Sequence, residues 1–196
     1  MWKKKGKLIQ SDNDLWWSQS YAMVPTLQKL KGNLFNIFYS SRDSLGRSYI
    51  GYSIIEVIGD HINLIKTCKD PVLNIGERGC FDDNGVTPSC IIDDYLYYIG
   101  WNSGTTTYRM SLIMGLAVKN KKNKYSRNSR APLLKRTDRE PFGICTAPFV
   151  IKSIKGFEMW YVSGEGWINK DLPKYNIKYA YSSDGINWNN NGQVAL

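Results

Sequence analysis

Short motifs recur along this chain in one fixed order, at intervals of about 60 residues, so its fold must be able to stack units of that size. Pro25 in Met-Val-Pro-Thr-Leu is matched by Pro88 in Val-Thr-Pro-Ser-Cys-Ile and by Pro148 in Thr-Ala-Pro-Phe-Val-Ile. A second set follows the prolines in step: Phe38-Tyr39-Ser40, Tyr97-Tyr98-Ile99-Gly100 and Trp160-Tyr161-Val162-Ser163. A third follows that one: Ile50-Gly51-Tyr52-Ser53, Met114-Gly115-Leu116-Ala117 and Lys178-Tyr179-Ala180-Tyr181-Ser182. The first two units also close alike, on Asp70-Pro71-Val72-Leu73 and Ala131-Pro132-Leu133-Leu134.

Within each unit the pattern is one of short aromatic and β-branched runs separated by turns, with no long stretch of helical periodicity. Unit one gives strands at 23–27, 34–40, 48–56 and 62–67. Unit two gives strands at 86–92, 95–101 and 111–118, with a weak fourth near Tyr125 or Leu133-Leu134. Unit three gives strands at 147–151, 156–163 and 175–182, then a short Asn187-Trp188 strand after the Ser183-Asp184-Gly185 turn. Residues 7–10 read as a lead-in strand and residues 164–174 as a long loop. Leu15-Trp16-Trp17 is either a sugar platform or a plug against unit one. Four antiparallel strands in about 60 residues is the signature of a β-propeller blade. With 42% hydrophobic and 13% aromatic residues, the chain can fill the core such blades need. The expected fold is all-β, one partial propeller domain with a lead-in (1–22) and three blades at 23–75, 80–135 and 140–196.

The stretch from Gly79 to Asn102 combines an acidic turn, Asp82-Asp83-Asn84-Gly85, with an aromatic strand ending in Trp101-Asn102. Carboxylates at one strand start and an aromatic-amide pair at the next strand end suit a sugar, which stacks on the indole while the polar groups take its hydroxyls. In a propeller, residues just before the innermost strands and in the second-to-third strand turns converge on one mouth. That gathers Asp82, Asp83 and Glu140 with Asp43, Trp101, Asn102, Arg109, Glu165 and Trp167.

Lys and Arg number 26 against 17 Asp and Glu, a net charge of +9, which favours anionic partners such as phosphorylated or acidic glycans. Much of the excess lies in Lys3-Lys4-Lys5-Gly6-Lys7 and in the run from Lys119 to Arg136, either a solvated loop or an anion patch, and no nucleic-acid motif accompanies it. Four cysteines (Cys68, Cys80, Cys90, Cys145) without paired spacing, and the single His61, argue against zinc. No apolar region follows the N-terminal lysines, and no run is long enough for a membrane helix, so a cytoplasmic location with reduced thiols is expected.

Phe81-Asp82-Asp83-Asn84-Gly85-Val86, Tyr98-Ile99-Gly100-Trp101-Asn102, the run from Met159 to Trp167, Ile177-Lys178-Tyr179-Ala180 and Ser183-Asp184-Gly185-Ile186-Asn187-Trp188 resemble bacterial members of the five-bladed β-propeller glycosidase-like superfamily. That superfamily includes arabinanases, β-xylosidases, invertases, levansucrases and mannoside phosphorylases. The similarity runs from about Trp16 to Leu196 and is closest to a branch that occurs with polysaccharide-biosynthesis proteins. Two departures stand out. Tyr21 and Asn176 occupy positions where the branch often has histidine, and three blades stand where five are expected. Three blades leave open sheet edges, so the chain either closes its ring as a homo-oligomer or is a truncated relative.

The resemblance implies carboxylate chemistry on a glycan. Glycosidic cleavage needs one carboxyl group to protonate the leaving oxygen and another to act as base or nucleophile. Asp83 is expected as base or nucleophile, Glu165 or Glu140 as acid, and Asp43 or Asp82 as an orienting carboxylate. Arg42 and Arg109 would hold hydroxyls or a phosphate, with Trp101 and Trp167 as stacking platforms and Asn102 binding hydroxyls. Each has a structural alternative: a plain turn for Asp82 and Asp83, a surface residue for Glu140, inter-blade packing for the two tryptophans. A glycoside hydrolase or phosphorylase, a non-catalytic carbohydrate-binding propeller and an inactive fragment all fit this pattern. No cofactor is implied, and no metal ligand set is identifiable.

Overall fold

In the computed structural model, which describes residues 4–122 and 124–195, blade one is an antiparallel meander of β1 (Ser20–Lys29), β2 (Leu34–Arg42), β3 (Ser48–Ile58) and β4 (His61–Thr67). Blade two repeats it with β5 (Gly85–Ile92), β6 (Tyr95–Ser103), β7 (Met110–Lys119) and β8 (Tyr125–Arg127). Blade three has β9 (Ile144–Ser153), β10 (Gly156–Asn169) and β11 (Leu172–Ser182). Its outer edge is formed by bridges from Tyr181 to Asn189 and from Lys178 to Val194. Short parallel pairings, Ser48 with Gly85 and Leu112-Ile113 with Ile144-Cys145, join each blade to the next.

Blade two is buried on both faces, and its sequence shows why. Successive side chains of a strand point to opposite faces. Leu96 and Tyr98 therefore pack with Phe38, Ile50 and Val86 between blades one and two. Tyr97, between them in sequence, packs with Met114, Met159 and Tyr161 between blades two and three. An uninterrupted apolar run is what a strand sandwiched on both sides requires.

The recurrent motifs now have physical causes. Each proline lies at a register shift in its inner strand, where the ladder is interrupted and a missing N–H costs nothing. Val24 and Ala147, the residues before Pro25 and Pro148, have φ of 51° and 49°. The residue after each of the first two prolines ties blade to blade: Thr26 donates to the Ser89 carbonyl at 3.3 Å and Ser89 to the Pro148 carbonyl at 2.9 Å. The small residue of the third motif permits close approach. A methyl group at Gly51 would overlap the Trp17 ring, and one at Gly115 would overlap Tyr98.

Three expectations change, and two alternatives are decided. Residues 7–10 form no strand; Ile9 instead packs against the Trp17, Tyr39 and Tyr49 cluster. Of the alternatives for the fourth strand of blade two, Tyr125 is right, while Leu134 is a core residue outside any strand. Asn187-Trp188 forms no named strand, and the edge contact falls at Asn189. The 164–174 loop is a hairpin arm, because Gly164 and Gly166 are absorbed as a ladder irregularity and β10 and β11 run on to a tight turn at Lys170-Asp171. Trp17 is fully buried with its indole N–H on the Lys69 carbonyl, so it is a plug; Trp16 is half exposed against Tyr49. Lys3 of the first basic cluster lies outside the described residues.

Candidate functional site

Between blades one and two the turn after β2, the segment before β5 and the end of β6 border two adjoining cavities. The smaller, about 200 Å³, is lined by Arg42, Ser48, Trp101, Arg109 and neighbours. The larger, about 380 Å³, is lined by Arg47, Gly76, Arg78 and Asp83 among others. Asn84, Asn102 and Ser103 line both.

The register of β5 and β6 builds this wall. Gly85 pairs with Trp101, which puts the acidic turn beside the end of β6. Asp83 accepts from the Gly79 N–H at 2.8 Å and from the Asn102 side chain at 2.6 Å, and Asn102 also donates to the Cys80 carbonyl. The Trp101 indole N–H is anchored on the Thr87 hydroxyl at 3.2 Å, leaving the ring half-buried in the cavity wall. Arg42 lies over the Tyr21 ring, 5.0 Å from its centre. Blade three reaches the same place through its arm. The Arg109 N–H donates to the Lys170 carbonyl at 3.0 Å, Trp167 packs on Tyr108 with ring centres 5.6 Å apart, and Arg109 comes within 4.0 Å of Asp171.

The structure thus gathers Asp83, Arg42, Trp101, Asn102 and Arg109 on one cleft. Glu165 sits on the arm, exposed, accepting from Asn176 at 2.6 Å with Lys174 3.8 Å away. Trp167 is engaged in docking that arm on Tyr108. Asp43, Asp82 and Glu140 are absent from the lining of both cavities. Asp43 is buried in the β2–β3 turn, where it accepts from two backbone N–H groups, Tyr49 and the Arg47 guanidinium. Burial works to raise its pKa, but the Arg47 hydrogen bonds and charge outweigh that and hold the carboxyl below its ordinary value.

Asp82 and Glu140 play matching roles in blades two and three. Asp82 is fully buried, taking the Tyr98 hydroxyl at 2.9 Å and Arg127 at 2.7 Å. Its other oxygen has no hydrogen-bond partner among the described residues and abuts Gly76, where any side chain would collide with it. Glu140 is likewise buried, taking the Tyr161 hydroxyl at 2.8 Å, Ser163 at 2.5 Å, Lys178 at 3.1 Å and Asn190 at 3.3 Å. In each blade a carboxylate from the entering segment ties a tyrosine of the second strand to a cation farther along, which staples the blade together. Burial, reinforced by the neighbouring carboxylates, drives the Tyr98 and Tyr161 hydroxyls well above the ordinary phenol value.

Sequence reasoning overlooked Arg78, Asn84 and Ser103. Arg78 sits in Glu77-Arg78-Gly79, directly before the acidic turn, and its place ahead of an inner strand was the available signal. Among the described residues no group of three or more His, Cys, Asp or Glu is placed to hold a metal ion, and no helix is long and apolar enough to cross a membrane.

No protein-family model matches the chain. Two uncharacterised proteins, from two strains of Mycobacterium tuberculosis, are each 34% identical to it over 201 aligned residues, covering 100% of this chain and 66% of the relative. The chain thus spans just under two thirds of the length of these curated relatives. A solved glycoside hydrolase superimposes with a TM-score of 0.70 at 14% identity, covering 94% of this chain and 59% of that one. A family 117 glycoside hydrolase produced by the marine bacterium Zobellia galactanivorans gives 0.61 at 11% identity, covering 100% and 51%. A structure from the GH130 family of mannoside phosphorylases, described as containing glycoside hydrolases that target β-1,2 mannosidic linkages in Candida mannan, gives 0.57 at 16% identity, covering 95% and 57%. At these identities the likeness is one of fold: the chain is an all-β propeller of antiparallel blades, of the kind found in glycoside hydrolases.

Proposed function

We propose that the chain is a glycoside-processing propeller, acting in surface-polysaccharide metabolism, whose glycan lies in the cleft between blades one and two. Asp83 and Glu165 are its pair of reacting carboxyl groups. The position of Asp83 carries this reading: it lines the larger cavity, oriented by Asn102, with Asn84 and Ser103 beside it and Trp101 on the adjoining wall. Amides and a hydroxyl at that spacing take sugar hydroxyls, and the indole offers an apolar surface to a ring. Asp43 is poorly suited to donate a proton, since Arg47 keeps it ionised, and Asp82 and Glu140 are committed to their blades. Glu165 remains, on an arm whose tip docks against the blade-two turn.

Incubating the protein with bacterial polysaccharide fragments and following the release of reducing ends tests the proposal. The Asp83→Asn and Glu165→Gln variants should each lose turnover by about 100-fold or more while retaining glycan binding. Release that depends on added phosphate would mark a phosphorylase. Turnover unaffected by both substitutions would refute the assignment of this pair. A second reading, a carbohydrate-binding propeller without turnover, is favoured by one observation: Asp83 is the sole carboxylate among the described residues that line the two cavities. Binding without release in the wild-type protein would select it.

A further inference from the structure

We infer that the cleft between blades one and two is built to hold a phosphate group carried on the sugar. The inference rests on the glycan site proposed above and names the class of glycan it takes. Four guanidinium groups border the two cavities, Arg42 and Arg109 on the smaller, Arg47 and Arg78 on the larger. Asp83, the one carboxylate of the lining, already accepts from Gly79 and Asn102. Arg47 and Arg109 have acidic neighbours in Asp43 and Asp171. Among the described residues Arg42 and Arg78 have none within 4.0 Å. Outside the cleft, Arg127 and Arg130 are neutralised by Asp82 and Glu77.

Against the single carboxylate of Asp83, which accepts from neutral hydrogen-bond donors, Arg42 and Arg78 leave the cleft net positive. That charge favours a phosphate monoester, which is close to two negative units near neutral pH. Planar guanidinium groups also match its oxygens in geometry, where a neutral sugar would leave their charge unanswered. Two of the four arginines are held in place. Arg47 directs Nε and Nη2 to Asp43, at 2.9 and 2.7 Å, leaving Nη1 to donate elsewhere. Arg42 rests on the Tyr21 ring, and Tyr21 has φ of 64°, a conformation rare for a residue with a side chain. The Ser41 hydroxyl donates to the Tyr21 carbonyl at 2.6 Å. Asn84, Asn102 and Ser103 line both cavities, and their amides and hydroxyl suit the hydroxyls of the sugar that bears the phosphate.

Isothermal titration calorimetry of the full chain with glucose 6-phosphate, glucose and inorganic phosphate tests this. Glucose 6-phosphate should bind at least about tenfold more tightly than either of the others. Arg42→Ala and Arg78→Ala should each weaken it by about tenfold or more. The affinity should also fall as ionic strength rises from about 0.05 to about 0.3 M. Arg78 is exposed, so its substitution leaves folding intact, and near-ultraviolet circular dichroism checks this. Equal binding of glucose and glucose 6-phosphate, lost in Trp101→Ala, would retain the glycan site and overturn the phosphate. Inorganic phosphate binding as well as glucose 6-phosphate would overturn the phosphate carried on a sugar, and the reducing-end assay would then decide the glycan site alone. No binding of either phosphate to the folded protein would overturn the inference, and the reducing-end assay would then decide the glycan site alone.

Discussion

Asp43 shows how a carboxylate in a functional neighbourhood can be structural. The residue is 6% exposed, and its oxygens are consumed by the turn that presents Arg47 to the cleft. A carboxyl whose folded pKa lies below its unfolded value contributes stability that is present above the unfolded value and lost as pH falls through the folded one. The unfolded value is about 3.9, so the loss belongs below about pH 4. Urea midpoints measured between neutral and acid pH should therefore fall less steeply below that point in Asp43→Asn than in wild type, although the variant starts from a lower midpoint. Parallel curves would mean that Arg47 does not hold the carboxylate in solution. The sequence could place Asp43 in a turn beside arginines, but whether it faces ligand or backbone depends on burial, which no spacing encodes. The same holds for Glu140, which sits between Arg139 and Pro141 like a surface residue and is 1% exposed because Lys178, distant in sequence, closes over it.

At the level of strands and turns, most of the architecture was legible because each repeated motif has a local cause. Inner-strand prolines mark interrupted ladders, and the aromatic second strands mark sheets covered on both faces. The small residue of the third strand marks an aromatic ring lying on the backbone, which makes it testable. Tyr98 is fixed by Asp82 and by Arg127 over its ring, so it cannot retreat from a methyl group at position 115. Gly115→Ala should destabilise the protein by about 1–3 kcal/mol, read from urea denaturation at constant m; a neutral effect would mean that the strands can separate there. The arm was less legible. Gly164-Glu165-Gly166 has the composition of a loop, yet the ladder from Ser163–Asn176 to Asn169–Leu172 continues through it, because contacts with Tyr108 and Arg109 on another blade reward an extended hairpin. A contact between segments about 60 residues apart leaves no local mark.

For the molecule as a whole, the question is whether three blades behave as three units or as one. Each inter-blade layer is a continuous apolar core, and blade two supplies residues to both layers from alternate positions of a single strand. Leu96 and Tyr98 cannot keep their places if Tyr97 loses its own, since one backbone carries all three. Polar ties run the same way: Thr26 to Ser89, Ser89 to Pro148, and the Tyr97 hydroxyl to the Gly185 carbonyl at 2.7 Å. Nearest-neighbour stacking of this kind couples the units when the interfaces are large relative to the stability of a lone unit, and a lone four-stranded blade with two apolar faces has little stability of its own. The chain should therefore unfold in a single transition, with tryptophan fluorescence and far-ultraviolet circular dichroism coinciding in urea. Tyr97→Phe, which removes one buried hydrogen bond and keeps the ring, should shift both probes together by about 1 kcal/mol with m unchanged. If the probes separate, or if only one moves, blade three opens independently of blade one, and the shared strand does not transmit the loss.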